Sequence, residues 1–370
     1  MNARDRLGPE TLAILEAAKG VAVPVPVGPY VEYATVDTIR HFARAYGDDN
    51  PLFGDERYAA ASVRGGLIAP PLFALASGTA APCELPLPLA GAMQALAAIP
   101  FRVSGDDWWF HEPIRPGTRL ERVDTLHDMR VDDEGIVTVT LRSSFSQNGV
   151  LYTEHDRSRS HGYESGVAGP VEGRTKATYT EDEIAAIEAA WEAKVRRGVH
   201  TRHVDEVHVG DTLPVLVKGP LTMTDMVAYR AGVGPGPFGV EPFELALANR
   251  RQRPGFYSRN DTGAFEPSER THWDELYAKR DGHPTAWDYT TTRLTWATQL
   301  LTDWVGDEGW LASISFHLER FNYLGDTHRM TGRVEAVDAA TGVVSVRFTG
   351  TNQRDEVTCG GQATVALPVR

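Results

Sequence analysis

The apolar positions of this chain follow two periodicities, and the two arrive twice in the same order. TVDTIRHFARAYGD, from Thr35, places Ile39, Phe42 and Ala43 on one face of a helix, and TMTDMVAYRAGVG, from Thr222, does the same with Met226 and Tyr229. Thr35 with Asp37 nearby, and Thr222 with Asp225, have the character of helix N-terminal caps. Further on, Phe110-His111 and Pro116-Gly117-Thr118 precede GIVTVTLRSSFSQNGVLYTE from Gly135. Phe316-His317 and Gly325-Asp326-Thr327 precede GVVSVRFTGTNQRDEVTCGG from Gly342. Alternating β-branched residues, a polar turn and a second alternating run predict long antiparallel strands. TTRLTWATQLLTDWVG, from Thr291, carries Leu294, Ala297, Leu300, Leu301 and Trp304 at helical spacing and predicts a buried central helix. The duplicated order argues for an α+β protein of two layered units packed side by side.

The helix starts are 187 residues apart (222 − 35) and the strands 206 apart (316 − 110), so the second half carries a net insertion of 19 residues. Pro235 to Ser268, rich in Gly, Pro and Arg, is the place for it. Ser158 to Gly173 is polar and Gly-rich and reads as linker. Thr180 to Arg197 reads as a capped helix, acidic in its first turn and basic in its last. The division expected is 1–160 as a first unit, 161–199 as linker with helix, and 200–370 as a second unit.

At 370 residues the chain suits two domains. Its formal charge of −13 is spread out, without the basic-aromatic stripe of a nucleic-acid binder. No apolar run approaches the roughly 20 residues of a membrane span, and the N-terminal segment has no signal-peptide core. Cys83 and Cys359 form neither a disulfide framework nor a zinc set and read as buried small hydrophobes. These features fit a cytoplasmic enzyme acting on a small molecule, with no nucleic-acid or membrane partner.

Three passages carry a resemblance. Asp48-Asp49-Asn50-Pro51-Leu52-Phe53 is followed by a helical segment and Gly65-Gly66-Leu67-Ile68-Ala69, which should enter the buried face of another helix. Val209-Gly210-Asp211-Thr212-Leu213-Pro214 leads to Lys218-Gly219-Pro220-Leu221-Thr222 and Asp225. Glu266 to Asp274 then reads EPSERTHWD. From about Val31 to the C-terminus the chain resembles the double hot-dog MaoC-like acyl-CoA dehydratases and hydratases, the first half being similar to the FAS1-like dehydratase type. That resemblance implies two tandem hot-dog units, antiparallel sheets each wrapping a central helix. It also implies reversible hydration of a 2-enoyl thioester on CoA or an acyl carrier, no metal or redox cofactor, and assembly as a homodimer or a heteromer with another hot-dog subunit.

Such chemistry needs a water held between a carboxylate and an imidazole, with N–H groups, commonly at a helix N-terminus, for the thioester oxygen. In the first half Asp48 and Asn50 match the family's Asp-x-Asn-Pro-x-His loop, but Phe53 stands where the His would be, and Ala69-Pro70-Pro71 where the family has Ala-His-Gly. Phenylalanine moves no proton, so this half reads as a degenerate site that widens the acyl cavity, with Asp48 more simply a turn carboxylate. In the second half His272 matches the catalytic His and Asp274 the acid that caps the next helix. The family's Asp position holds Pro267, which makes Asp261, the nearest upstream Asp, the candidate carboxylate, with Glu266 and Glu269 as alternatives. The alternative for His272 is a structural His at a helix start. Backbone N–H groups near Tyr289 and Thr290 are candidates for the thioester oxygen, and Asp288 is either part of that turn or a helix-start carboxylate. Arg250, Arg251 and Arg253 in the insertion either meet CoA phosphates or form a solvated basic loop. Two rival readings are a non-catalytic acyl-thioester-binding protein or inactive subunit, and a hot-dog thioesterase. The thioesterase would enlist Asp288 or Asp303, although Asp303 falls near the helix end and reads as solvent-facing.

Overall fold

The computed structural model describes residues 2–25, 28–80, 82–162, 175–234 and 241–370. Its elements run α1 (Ala3–Ala17), β1 (Ala22–Val23), α2 (Val36–Ala45), α3 (Glu56–Ala61), β2 (Thr79–Ala80), α4 (Leu87–Ala97), β3 (Phe101–Phe110), β4 (Glu121–Val131), β5 (Val137–Gln147), β6 (Val150–His161), α5 (Glu181–Glu192), β7 (Leu216–Lys218), α6 (Met223–Val233), α7 (Phe243–Gln252), β8 (Tyr257–Arg259), β9 (Phe265–Pro267), α8 (Glu275–Arg280), α9 (Thr290–Val305), β10 (Trp310–Leu318), β11 (His328–Asp338), β12 (Val343–Asn352) and β13 (Val357–Ala366).

The long strands of both halves join one sheet in the order β1-β4-β5-β6-β3-β10-β13-β12-β11-β7, with β2 off this path on β4. Outward from the centre, each half places its four long strands first, fourth, third, second. The halves meet where β3 pairs antiparallel with β10, from Ser313↔Trp109 to Phe316↔Asp106. This is an α+β fold with two hot-dog units in a continuous sheet.

Both expected caps form. Thr35 accepts from the Thr38 N–H and Thr222 from the Asp225 N–H, each with a reciprocal bond from the capped residue's partner. α2 and α6 pack against each other across the two halves. They can do so because α6 carries Gly232, where a Cβ would lie 2.4 Å from the Ala45 Cβ and 2.5 Å from the His41 carbonyl oxygen.

The loops that follow these helices also correspond. Asp55 caps α3 and Asp274 caps α8, an offset of 219 (274 − 55). The second half therefore gains 32 residues before this point (219 − 187) and the first half gains about a dozen after it. The second-half gain builds α7, a 3-10 turn and the β8–β9 hairpin; residues 235–240 of the expected insertion lie outside the described residues. The first-half gain builds β2 and α4.

The helices of the two halves differ. α9 is sixteen residues long and buried along most of its length against β10, β11 and β12. Its first-half counterpart, expected to receive Gly65 to Ala69 on a buried helical face, is only the 3-10 turn Pro71–Leu75. The chain then turns at Gly78, which has a φ of +120° and no room for a Cβ beside Phe145 and Arg122, and pairs as β2. The apolar interior divides accordingly. One cluster runs from α2 and α6 through α9 and includes Trp108, Phe110 and Phe145 of the first half. A separate one lies under α1 and α4 against Leu126, Met129, Val137 and Val139.

The polar stretch read as linker begins inside β6, which continues to His161. Ser158 and Ser160 bond the hydroxyls of Thr140 and Thr138 across the strands. Residues 163–173 of that stretch lie outside the described residues. Both cysteines are free; Cys359 is buried in the core and Cys83 half-buried.

Candidate active site

In the second half, β9 leads into a 3-10 turn, Ser268–His272, and Asp274 then caps α8 by accepting from the Tyr277 N–H. His272 ends that turn against the start of α9. Its Nδ1 lies 2.9 Å from the Trp287 carbonyl oxygen, so Nδ1 carries the proton and donates, and Nε2 keeps its lone pair. The ring packs on Tyr289, the N-cap residue of α9, at 4.1 Å between centroids, and edge-on to Trp287. Burial pushes the imidazole pKa down to about 4, and the Arg230 charge adds to the effect.

Glu269 lies three residues earlier in the same turn, and residues three apart on a 3-10 helix eclipse one another. Its side chain is 10% exposed, and Oε1 pairs with Arg230 Nη2 at 2.9 Å. Burial raises its pKa, with Arg230 pulling the other way. The Arg230 guanidinium also lies over the Tyr289 ring, and Tyr229 stacks on that ring at 5.7 Å. The Glu269 Oε2, Thr271 Oγ1 and Tyr289 hydroxyl are buried with no hydrogen-bond partner among the described residues. Unpaired buried polar atoms cost about 1–3 kcal/mol each, so this wall is suited to a polar guest. The N–H groups of Thr290 and Thr291 at the start of α9 have no acceptor within the helix and carry its positive dipole end, while the Thr292 N–H donates to the Tyr289 carbonyl at 2.9 Å.

The other residues singled out from the sequence fall in different places. Asp261 is exposed in the turn between β8 and β9, and the Asn260 amide holds Glu266. Like Glu269, neither makes a hydrogen bond or ion pair to His272 among the described residues. Asp288 is fully buried. It pairs with Arg293 Nε at 2.9 Å and accepts from Asn322 Nδ2 at 3.0 Å, and burial raises its pKa to about 6. Its role is to tie the start of α9 to the loop at Asn322. Arg250 and Arg251 lie in the last turn of α7 and Arg253 just beyond it, with the Arg250 guanidinium 4.1 Å from the centre of the Phe265 ring on the hairpin that leads to His272.

The first-half loop has a different environment. Asp48 is 3% exposed and lines a cavity of about 690 Å³ shared with Arg40, Lys194, Trp191 and Lys218. Asp48 Oδ1 accepts from the Asn50 N–H at 3.0 Å, and Asn50 accepts from the Leu52 N–H. Burial, then the charge of Asp303, raises the Asp48 pKa to about 6. Asp303 is 5% exposed and bonds Arg196 Nε at 2.7 Å. It is therefore not solvent-facing as its place near the helix end suggested: the turn of α9 that carries it packs on the first-half loop. Phe53 is 2% exposed in the core. Lys218 hydrogen-bonds the Tyr46 and Gly47 carbonyls, and burial lowers its pKa to about 8.

The sequence reading missed Tyr229, Arg230 and Lys218 as members of these clusters. The signal for the first two was a Tyr-Arg pair on the buried spacing of α6. Among the described residues no group of three or more His, Cys, Asp or Glu side chains is placed to hold a metal ion, and no helix is long and apolar enough to cross a membrane.

Residues 25–154 match the model of the FAS1-like dehydratase domain region. A UPF0336 protein of Parafrankia sp. (strain EAN1pec) is 37% identical over 117 residues, 31% of this chain and 75% of that protein. A solved MaoC-like dehydratase superposes with a TM-score of 0.64 at 19% identity, covering 96% of this chain and 100% of its own. The chain belongs to the MaoC-like dehydratase structural family. Two further likenesses show the MaoC-like fold itself. A Mycobacterium tuberculosis protein described as having a double hotdog fold gives a TM-score of 0.52 at 14% identity, covering 97% of this chain and 99% of its own. A MaoC-like dehydratase from Phytophthora capsici gives 0.53 at 12% identity over 93% and 97%.

Proposed function

We propose that the chain reversibly hydrates a 2-enoyl thioester, carried on CoA or an acyl carrier protein, at the second-half site. The observation that carries this reading is the state of His272: its Nδ1–H is committed to the Trp287 carbonyl, leaving Nε2 as an acceptor beside the N-terminus of α9. In this reading Glu269 takes the place of the carboxylate lost at Pro267 and orients the water. Nε2 takes a proton from that water as its oxygen bonds C3, and the imidazolium returns a proton to C2. The thioester oxygen, which gains charge, meets the first-turn N–H groups at Tyr289, Thr290 and beyond. Residues 1–160 then act as the degenerate unit and 200–370 as the working one.

The test is hydration of trans-2-enoyl-CoA, followed as loss of the conjugated thioester absorbance. His272→Ala should lose about 100- to 10,000-fold, the usual worth of an acid–base group, and Glu269→Gln a comparable factor, while Glu266→Gln should lose little. A loss below about tenfold for His272→Ala rejects the assignment.

Pro267 and the buried Phe53 favour a second reading, a non-catalytic thioester-binding protein or a subunit completing a partner's site. Binding without hydration at any chain length would select it. Release of free thiol instead of hydration would select the thioesterase reading, for which Asp303 is the buried carboxylate on α9.

A further inference from the structure

The inner faces of the two half-sheets are built differently at equivalent positions. In β13, Gly361, Ala363 and Val365 share one face, and Ala363 and Val365 are buried in the core cluster that also holds α9. With Phe110 the counterpart of Phe316, the strand pairings place Phe316 against Gly361 and Phe110 against Thr153, an offset of 208 (361 − 153) on the partner strand. The first-half counterparts of the three small residues are therefore Thr153, His155 and Arg157, and Arg159 follows on the same face. A long helix packed here would bury two guanidiniums, each at a cost of several kcal/mol unless paired. The first half has no such helix over them, only the turn Pro71–Leu75 on one side and α4 on the other. These residues lie in the gap between the two apolar clusters.

The charges in this gap do not cancel. Asp106 is fully buried and fully bonded: Oδ1 accepts from Trp108 Nε1 and faces His155 Nε2, each at 2.7 Å, and Oδ2 accepts from Arg157 Nη2 at 2.7 Å and Nε at 3.1 Å. Asp124 is bound at both oxygens by Arg122, at 2.8 and 2.9 Å. Both carboxylates are thus spoken for. Arg159 is left with no hydrogen-bond partner among the described residues. Its Nε is buried and unpaired, and its guanidinium lies 4.8 Å from the centre of the Phe101 ring. Burial, then the neighbouring Arg157, pushes its pKa down to about 10, so it stays charged. The gap is open, since the Arg122 and Arg157 side chains keep 28% and 21% of their exposure.

The Arg157 charge acts on the Tyr229 hydroxyl, opposing the rise that burial imposes on it. Tyr229 stacks on Tyr289, and Tyr289 on His272.

We propose that this cleft, with Arg159 as its free cation and Arg157 beside it, binds a carboxylate at the far end of the acyl group, so that the substrate class is the mono-thioester of a dicarboxylic acid. The assignment rests on the hydration reading above. An apolar acyl chain would leave the Arg159 charge desolvated against hydrocarbon. A terminal carboxylate supplies the missing acceptor and can take the guanidinium fork in both arms.

Two measurements test it. The first is kcat/KM for trans-2-hexenoyl-CoA, for its terminal-carboxylate counterpart 5-carboxy-2-pentenoyl-CoA, and for the methyl ester of the latter. The carboxylate form should be preferred by about 10- to 100-fold, the worth of a charge-assisted pair. Arg159→Gln should bring the ratio close to one, and Arg159→Lys should keep part of it. Equal rates for acid and ester in the native protein, or a ratio untouched by Arg159→Gln, overturns the proposal. The second is calorimetric titration with adipate, which needs no turnover. Binding that disappears in Arg159→Gln, with the variant's melting temperature preserved, supports the anion site; no binding to the native protein rejects it. If no thioester is hydrated, the hydration reading fails alone and the adipate titration still decides the cleft. Should Arg159→Gln not fold, Arg159→Met, which keeps the apolar stem and removes the charge, gives the same comparison.

Discussion

Replacing Gly232 by Ala separates two effects that usually travel together. In a helix interior, Gly to Ala gains about 1 kcal/mol of helix propensity. At Gly232 the new Cβ would sit 2.4 Å from the Ala45 Cβ and 2.5 Å from the His41 carbonyl oxygen. Neither neighbour is the end of a flexible side chain, so α2 and α6 must move apart. Overpacking of this kind costs about 1–3 kcal/mol, and the backbone contact puts it in the upper part of that range. The net expectation is a loss of about 1–2 kcal/mol. Gly91, in the middle of α4, is the control, because a Cβ there meets nothing within 4 Å. Gly91→Ala should gain up to about 1 kcal/mol. Propensity cancels in the difference between the two variants, which leaves the packing cost alone, about 2–3 kcal/mol. Urea denaturation with unchanged m-values measures both. Ala45→Gly in the Gly232→Ala background should recover part of the loss and not all, since His41 remains. Tyr229 lies one turn before Gly232, so the same displacement should lower hydration activity without touching a reacting group. A Gly232→Ala protein as stable as the native chain would refute the reasoning.

Two further outcomes follow from the site. The acid limb of kcat/KM should lie below the ordinary imidazole value of about 6.5, because burial holds His272 down at about 4 and raises the Glu269 carboxyl, which then sets the limb; an inflection at the ordinary imidazole value would contradict a buried base, and Glu269→Gln should move the limb to lower pH. The triple change of Arg250, Arg251 and Arg253 to Ala should raise KM for a CoA substrate and flatten its salt dependence with kcat little changed, since phosphate contacts hold ground and transition states alike; an unchanged KM at low salt returns the cluster to a solvated helix end.

The long strands and both helix caps were legible because they are local: alternation, Thr at the cap and the repeat itself are all written in neighbouring residues. The motif around His272 was legible as a position, and Asp274 caps its helix as Asp55 does in the other half. The carboxylate was not, because three acids in a rebuilt loop were candidates and only the fold shows which of them shares a turn with His272: Glu269 stands in the same 3-10 turn, and a sequence does not announce a 3-10 turn. Asp303 was misplaced for a related reason: nearness to a helix end suggests solvent until the partner loop is known. The polar run from Ser158 was misread because burial was assumed to be apolar. There, both faces of one strand are polar, and the exception coincides with the unfilled space over the first half-sheet.

The pairing of β3 with β10 has a consequence for how the protein could be divided. Cutting the chain between the halves would strip each central strand of its partner and expose a row of unmatched N–H and C=O groups from Asp106 to Trp109 and from Ser313 to Phe316. Such a bare edge is a template for another strand, and the best-fitting one is the strand it lost, flanked by the complementary α2 and α6 faces. Two separately encoded half-chains would thus carry their own instructions for reunion. Joining them covalently changes only the concentration at which one meets the other.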